Sequence, residues 1–253
     1  MLRISATIIT FNEADNIRAA CKSVAWADEI VVVDSESTDK TREIAAECGA
    51  RVITHPWPGF AEQKQFAAEA AEHDWIFSLD ADERLSDELR NSIEELQAAD
   101  ESQLADGYSI ARRAFYMGRW IRGGGWYPDR QLRLYRKSRG RWLGPHIHES
   151  VKMDEGARVE ILAGDLLHYT TDNPAEHRRM IEERYAPLGA QKMFEQGKRA
   201  TNLKVATIGP ATFIRSYFLK GGFRDRRAGF EIARMAAYHA RLKYELLREM
   251  QKK

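Results

Sequence analysis

Short apolar runs alternate with longer mixed segments through the first third of the chain. The runs are rich in β-branched and aromatic side chains, which is typical of strands covered on both faces. These predicted strands are residues 4–10, 29–33, 51–54 and 75–79. The segments between them have helical spacing, which predicts helices at residues 15–24, 40–48 and 61–72. The alternation predicts an α/β fold with a mostly parallel central sheet and helices on both faces.

The pattern changes after residue 107. Strands are predicted at residues 108–114, 131–136 and 159–162, with Gly164 as a turn. Residues 115–129 combine aromatic side chains, arginines and three consecutive glycines. Such a stretch suits a sugar ligand, because sugars bind flat aromatic faces and arginines bind phosphates or carboxylates. The alternative is a surface loop whose tryptophans pack back into the core.

The last region has a helical pattern throughout. Its first predicted helix covers residues 173–196, with Asp172 or Asn173 as its cap and Pro174 at its first position. A second helix is predicted to open at Pro210, and a third covers residues 224–253. The sequence therefore predicts three regions, which are residues 1–107, 108–172 and a helical extension at 173–253.

Charge is distributed unevenly, although the net charge is only +1. Residues 1–107 hold 9 Lys+Arg against 23 Asp+Glu, a net of −14, whereas residues 198–253 hold 14 against 4, a net of +10. A basic tail suggests an anionic partner, either a membrane surface or nucleic acid. Aromatic and basic side chains interleave over residues 213–227, as at a membrane interface. No nucleic-acid recognition motif is present, so an anionic membrane surface is the predicted partner.

The composition is that of an ordinary globular protein, with 253 residues, 43% apolar and 30% charged. No run approaches the roughly 18 apolar residues of a membrane span, and residues 1–20 lack the pattern of a signal peptide. We therefore expect a cytoplasmic protein. Cys21 and Cys48 lack metal-ligand spacing and are predicted to be reduced packing residues.

Two carboxylates, Asp80 and Asp82, directly follow the fourth predicted strand. Ligands of α/β sheets bind at the carboxyl ends of the strands. Two converging carboxylates without a cationic neighbour are costly unless a positive charge lies between them. Mg²⁺ typically takes one or two carboxylates and completes its shell with phosphate oxygens, which predicts a nucleotide-diphosphate site. The alternative is that this segment only precedes a helix capped by Ser86.

Polar side chains also lie at the ends of two other predicted strands. Thr10 is followed by Asn12 and Glu13, and Asp34 by Ser35 and Ser37. Neither the glycine fingerprint of dinucleotide-binding folds nor the lysine motif of P-loop kinases occurs.

Four motifs together resemble the nucleotide-sugar domain of the family 2 inverting glycosyltransferases, which have the GT-A fold. They are T-I-I-T-F-N-E at 7–13, V-V-V-D-S-E-S-T-D at 31–39, Gln63-Lys64, and L-D-A-D-E at 79–83. The resemblance implies that region 1–107 binds the nucleotide sugar and that region 108–172 binds the acceptor and completes catalysis. The implied donor-binding residues are Thr10, Phe11, Asn12, Glu13, Asp34, Ser35, Lys64, Asp80, Ala81 and Asp82.

The resemblance also assigns individual roles. Thr10 and Phe11 line the base, Glu13 and Asp34 hold base and ribose, and Lys64 reaches toward the donor. Asp82, Asp80 and His168 are the implied ligands of Mg²⁺ or Mn²⁺, although a lone histidine is more often structural. Many relatives carry a second carboxylate where this chain has Ser35.

The segment G-G-W-Y-P-D-R-Q-L-R-L-Y-R at 124–136, with I-H-E-S at 147–150, is similar to the lipopolysaccharide core β-glucosyltransferases of this family. An inverting transferase needs a carboxylate to take the proton of the acceptor hydroxyl. The resemblance implies Glu149 as this base, with Asp129 as runner-up. The alternative for Glu149 is a salt bridge to a nearby arginine.

The sequence therefore predicts a metal-dependent hexosyltransferase that uses a UDP-sugar, UDP-glucose above all. Its expected acceptor is a lipid-linked saccharide such as the inner core of lipopolysaccharide. One alternative is a transferase acting on a polyprenyl phosphate or another glycolipid. Another, from a different class, is a non-catalytic nucleotide-sugar-binding protein.

Overall fold

The computed structural model describes residues 2–144, 149–170 and 173–252. The strands are β1 (Ile4–Thr10), β2 (Glu29–Asp34), β3 (Arg51–Thr54), β4 (Trp75–Asp80), β5 (Glu83–Leu85), β6 (Gly107–Tyr116), β7 (Arg119–Trp120), β8 (Asp129–Arg136), β9 (Gly140–Leu143), β10 (Ser150–Met153) and β11 (Val159–Tyr169). The helices are α1 (Ile17–Ser23), α2 (Thr41–Glu47), α3 (Phe60–Ala70), α4 (Asp87–Ala98), α5 (Pro174–Met180), α6 (Ala186–Glu195), α7 (Asn202–Ile214) and α8 (Arg226–Met250).

The central sheet is mixed, with the strand order β3-β2-β1-β4-β8-β6-β11-β5, and β7 pairs with β6. The first four strands are parallel. β8 joins β4 antiparallel, and β5 joins β11 antiparallel. β9 and β10 form a separate antiparallel pair. The predicted α/β class is confirmed, and the parallel part of the sheet is its N-terminal half.

Helices cover both faces of the parallel strands. Alternate residues of a strand point to opposite faces, so Ile8 packs with α1, α2 and α4, whereas the next residue, Ile9, packs with α3. All seven residues of β1 are buried. This two-sided burial explains why the strand has no regular polar alternation in the sequence.

Several local predictions are confirmed. The Ser86 hydroxyl accepts the N–H of Leu89 and caps α4. Asn173 caps α5 through the N–H of Ala175, while Asp172 lies outside the described residues. Cys21 and Cys48 are free, and burial raises the pKa of the Cys21 thiol to about 12, as suits a packing residue.

One prediction about the helical region is wrong. Pro210 does not open a helix but lies inside α7, which begins eight residues earlier with Thr201 as its cap. The helix predicted at residues 173–196 is present from Pro174 to Glu195, with a π-helical turn at Ile181–Tyr185 in its middle. Pro187, the second residue after this turn, lacks the N–H that would bind the carbonyl of Glu183, so the regular hydrogen-bond pattern cannot continue there.

The chain divides into two compact units, Met1–Arg112 with Arg130–His168, and Arg113–Asp129 with Tyr169–Lys253. We refer to them as the sheet unit and the helical unit. The functional regions predicted at 1–107, 108–172 and 173–253 stay a prediction. Among the described residues, no helix is both long and apolar enough to cross a bilayer.

Gly164 is not the predicted turn but a residue within β11, with a positive φ of 91°. A Cβ at this position would lie 2.2 Å from the backbone nitrogen of Leu89. The strand therefore approaches the start of α4 so closely that only glycine fits. The sequence does not show this approach, because Leu89 is distant along the chain.

We expect Gly164→Ala to lower the free energy of unfolding by about 3 kcal/mol, from overpacking together with backbone strain. Urea denaturation measures the change. Gly156→Ala is the matched control, because Gly156 has a φ of 79° and open space around its Cβ position. An equal loss in both variants would contradict the close contact with α4.

Candidate active site

The predicted site residues gather at the carboxyl ends of β1, β2 and β4. These strands are parallel neighbours, with Thr10 beside Asp34 and Ile9 beside Asp80. The loops that follow them therefore emerge at one edge of the sheet, where ligands of such sheets bind. Ala81 is buried in the short connection between Asp80 and Asp82.

Hydrogen bonds join the loops after β1 and β2. Asn12, at a φ of 53°, accepts the N–H of Thr38 at 2.8 Å and donates its own N–H to the Ser37 hydroxyl at 2.8 Å. The N–H of Glu13 donates to the Thr41 hydroxyl at 2.8 Å. Burial, aided by the nearby charge of Asp82, raises the pKa of Glu13 against the opposing hydrogen bond from Asn16. The two loops thus act as one structure.

The side chains predicted to meet the base differ in exposure. Phe11 is 56% exposed, so its ring is open to an external flat ligand. Thr10 is buried, and its hydroxyl has no hydrogen bond within the described residues. An exposed ring beside a buried, unsatisfied hydroxyl is a suitable surface for a heterocyclic base.

Asp34 and Ser35 form hydrogen bonds with other residues of the protein. The buried carboxylate of Asp34 accepts both the N–H and the hydroxyl of Ser37. The Ser35 hydroxyl accepts from Gln63 at 3.0 Å, and Gln63 in turn contacts His55. Ser35 therefore fixes α3 against the end of β2. The nucleotide contacts of both residues stay a prediction.

Asp80 lies between two buried cations, Lys64 at 3.0 Å and Arg133 at 3.1 Å. Arg133 also contacts the fully buried Glu83 at 2.9 Å. Burial would raise the pKa of Asp80, but the charges of Lys64 and Arg133 outweigh it and hold that pKa well below its usual range. Burial and the Asp80 charge raise the pKa of Glu83, against the effect of Arg133.

These contacts contradict one assumption behind the predicted metal site. Asp80 does not lack cationic neighbours, because Lys64 and Arg133 already balance its charge. Asp82 has a different partner, His168, whose Nε2 lies 3.1 Å from the carboxylate. Burial would lower the pKa of His168, but its hydrogen bond and charge interaction with Asp82 raise it. The two aspartates therefore belong to different contact groups.

Lys64 connects Asp80 with Glu149, although 85 positions separate Lys64 from Glu149. The ammonium lies 3.0 Å from the Glu149 carboxylate and 4.9 Å from the centre of the Trp142 ring, and its side chain is only 3% exposed. Glu149 is 18% exposed and so retains access to solvent. The predicted alternative, an ion pair of Glu149, is present with Lys64 in place of an arginine.

Sequence reasoning missed Arg133, Glu83 and Arg112. Arg112 lies 3.7 Å from Glu83. One signal could have found Arg133, because it shares a strand face with Tyr135, which is fully buried. An arginine on a buried strand face needs carboxylate partners, and the acidic N-terminal region supplies them.

The runner-up base and the aromatic stretch belong to the helical unit. Asp129 is half-buried and opens β8, and its catalytic role stays a prediction. Trp120 packs edge-on against Phe115 at 5.0 Å, and Trp126 lies 5.2 Å from Tyr116. Both tryptophans thus pack against aromatic partners, as in the predicted alternative of inward packing. Both also remain partly exposed.

The metal-ligating side chains can be compared with what a divalent cation needs. Among residues 2–144, 149–170 and 173–252, no group of three or more His, Cys, Asp and Glu side chains could hold a metal ion. Asp82 and His168 supply one oxygen and one nitrogen donor, which fits Mn²⁺ or Mg²⁺ when phosphate oxygens and water complete the shell. Asp80 fits less well, because both its oxygens face cations.

Known proteins resemble this chain along most of its length. The model of the glycosyl transferase family 2 matches residues 5–163. The lipopolysaccharide core biosynthesis glycosyltransferase LpsC of Rhizobium meliloti (strain 1021) is 35% identical over 250 residues, which cover 94% of this chain and 89% of the relative. An uncharacterized glycosyltransferase of Rickettsia bellii (strain RML369-C) is 34% identical, over 98% of this chain and 87% of the relative.

Among solved structures, glucosyl-3-phosphoglycerate synthase from Mycobacterium tuberculosis, in complex with Mn²⁺, UDP and glucosyl-3-phosphoglycerate, is 24% identical. Its TM-score is 0.36, over 46% of this chain and 45% of that one. The family model covers more than half of the chain, and the relatives match along nearly its whole length. This chain belongs to glycosyl transferase family 2 and is a glycosyltransferase.

Proposed function

We propose that this enzyme transfers a hexose, with inversion, from a UDP-sugar to a lipid-linked saccharide. The proposed donor is UDP-glucose, and the proposed acceptor is the inner core of lipopolysaccharide. The observation that carries the proposal is the Asp80–Lys64–Glu149 chain, in which a partly exposed carboxylate lies beside the strand ends of the donor site. The similarity to the Rhizobium lipopolysaccharide core biosynthesis glycosyltransferase supports the acceptor.

Inverting transfer needs a base on one side of the anomeric carbon and charge stabilisation on the other. Glu149 takes the proton of the attacking acceptor hydroxyl. Lys64 holds Glu149 in place and joins it to Asp80 at the strand end of the proposed donor site. Arg133 is shielded by Asp80 and Glu83, so it orders the cluster rather than meeting substrate.

Asp82 and His168 would hold Mg²⁺ or Mn²⁺. The ion supplies charge stabilisation to the diphosphate as it leaves. The 3.1 Å contact between the two side chains keeps both donors on one side of the strand ends.

A screen of UDP-sugars tests the donor and acceptor together. UDP release is measured for each sugar with Mn²⁺, with and without deep-truncated lipopolysaccharide. We expect UDP-glucose and that acceptor to give the largest release. Stimulation only by polyprenyl phosphate would favour the alternative transferase, and binding without any release would favour a non-catalytic binder.

We place the enzyme in the cytoplasm, peripheral on the inner face of the inner membrane. Phe218, Leu219 and Phe223 of the helical unit are 57%, 79% and 53% exposed. Four exposed arginines lie within the same segment. They are Arg215, Arg224, Arg226 and Arg227. Exposed apolar side chains among cations suit an anionic lipid surface. The alternative is a solvated basic face.

We expect the combined variant Arg215→Gln, Arg224→Gln and Arg227→Gln to release the enzyme from anionic vesicles, because each engaged cation contributes about 1 kcal/mol. Sedimentation with phosphatidylglycerol vesicles at low and high salt measures the binding. Lys198→Gln, Arg199→Gln and Lys252→Gln remove the same charge elsewhere in the helical unit and should retain binding. If the wild type stays in the supernatant at both salts, the membrane proposal fails.

A further inference from the structure

The three consecutive glycines form a turn that is tied to a distant loop of the helical unit. We call residues 122–125 the glycine turn and residues 215–225 the tail loop. One oxygen of Asp225, Oδ2, accepts the N–H of Arg122 at 3.0 Å and that of Gly123 at 2.8 Å. The N–H of Gly124 donates to the carbonyl of Lys220 at 2.9 Å. The Ser216 hydroxyl donates to the carbonyl of Gly124 at 2.8 Å.

Backbone packing makes the same connection. A Cβ on Gly123 would lie 2.5 Å from the carbonyl oxygen of Gly221, and one on Gly222 would lie 2.9 Å from that of Ser216. The glycines thus allow two backbones to touch. The turn is therefore held in place, although three consecutive glycines alone would allow a flexible backbone.

Asp225 is the centre of this connection. Its side chain is fully buried, and its second oxygen, Oδ1, has no hydrogen bond within the described residues. Burying a carboxylate is costly unless its hydrogen bonds offset the loss of water. Within the described residues, both hydrogen bonds of this carboxylate go to the glycine turn, so its structural effect is to hold that turn.

The tail loop also carries the exposed apolar residues Phe218, Leu219 and Phe223. The backbone of this loop meets the glycine turn at Lys220 and Gly221, between these side chains in sequence. Both features belong to the helical unit. One short loop thus joins the apolar side chains proposed to contact lipid to the glycine turn and its aromatic neighbours in sequence.

We infer that Asp225 is a positioning residue, which fixes the glycine turn for binding the acceptor saccharide at a set height above the membrane. The inference rests on the proposed function, because the acceptor is the lipid-linked saccharide named there. The donor site lies in the sheet unit and does not depend on Asp225. The turn therefore affects acceptor binding and not donor chemistry.

Asp225→Ala is expected to raise the KM for vesicle-embedded acceptor about tenfold or more, since two charge-assisted hydrogen bonds are lost. Release of UDP from UDP-glucose without acceptor, and vesicle binding, should be unchanged. Asp225→Asn should stay within about threefold of wild type, because one amide oxygen can accept both N–H groups. A merely structural role would lower the stability of Asp225→Ala while the acceptor KM of the folded protein stays unchanged.

Gly123→Ala tests the turn while keeping Asp225. Its Cβ would press on the tail loop, so we expect the same rise in acceptor KM as in Asp225→Ala. The control is Gly209→Ala in α7 of the same unit, where the added Cβ makes only an ordinary 3.5 Å contact. Gly209→Ala should leave the acceptor KM unchanged.

Hydrogen exchange at the amides of Arg122 and Gly123 gives a readout that is independent of turnover. Asp225→Ala should speed this exchange about tenfold or more, and leave the amides of β1 protected. Unchanged exchange, or an unchanged acceptor KM in a folded Asp225→Ala, would overturn the inference. If the wild type transfers no sugar to any lipid acceptor, the proposed function fails, and the inference about the acceptor fails with it.

Discussion

Asp82→Ala is expected to lower transfer by about 10²-fold or more and to remove its dependence on Mn²⁺ or Mg²⁺. Asp82 is the carboxylate that pairs with His168, and its remaining surface is open to solvent. Without it, His168 alone cannot retain the cation, and the leaving diphosphate loses its charge stabilisation. The measurement is initial rate against metal concentration, together with isothermal titration of UDP in the presence of Mn²⁺.

Asp80→Ala should behave differently, because Asp80 balances Lys64 and Arg133. We expect it to lower the free energy of unfolding, since two buried cations lose a partner, while the residual activity keeps its response to metal. Asp87→Ala is the control for a nearby carboxylate, because Asp87 is exposed in the first turn of α4. A metal response that survives in Asp82→Ala but disappears in Asp80→Ala would reverse this assignment.

The sequence predicts the first four strands to within one residue at each end. Buried parallel strands consist of unbroken apolar runs, and such runs are visible without knowledge of the rest of the chain. The gathering of Thr10, Asp34 and Asp80 also follows from the sequence, because neighbouring parallel strands present their carboxyl ends together. The positions of the loops that follow these strands can therefore be predicted from the local sequence.

The contacts of the charged cluster could not be predicted in this way. Arg133 meets Asp80 and Glu83 only because β8 pairs beside β4, and that pairing is set by the whole sheet. The need for glycine at position 164 is also long-range, since a residue without a Cβ is required there only because Leu89 approaches. The prediction at Pro210 is wrong for a different reason. Thr201, nine residues earlier, caps the start of α7, and tertiary packing tolerates the proline within the helix.

The contact between Lys64 and Glu149 is also long-range. It allows two roles for Glu149, and these roles predict different results. As a catalytic base, Glu149 must take a proton from the acceptor hydroxyl. As a structural partner, it only neutralises a buried ammonium. Lys64 retains Asp80 at 3.0 Å when Glu149 is changed, so the fold should tolerate the substitution.

Glu149→Gln is therefore expected to lower kcat by about 10²-fold or more while the Kd for UDP stays within about threefold. The amide keeps the shape of the side chain and can still accept a hydrogen bond from Lys64, but it cannot take the proton. Single-turnover transfer from UDP-glucose measures the chemical step, and urea denaturation measures stability in the same preparation. Asp129→Asn, assayed in parallel, tests the runner-up. If Glu149→Gln loses stability but keeps its kcat, the ion pair is structural. If, in addition, Asp129→Asn is inactive, Asp129 is the base.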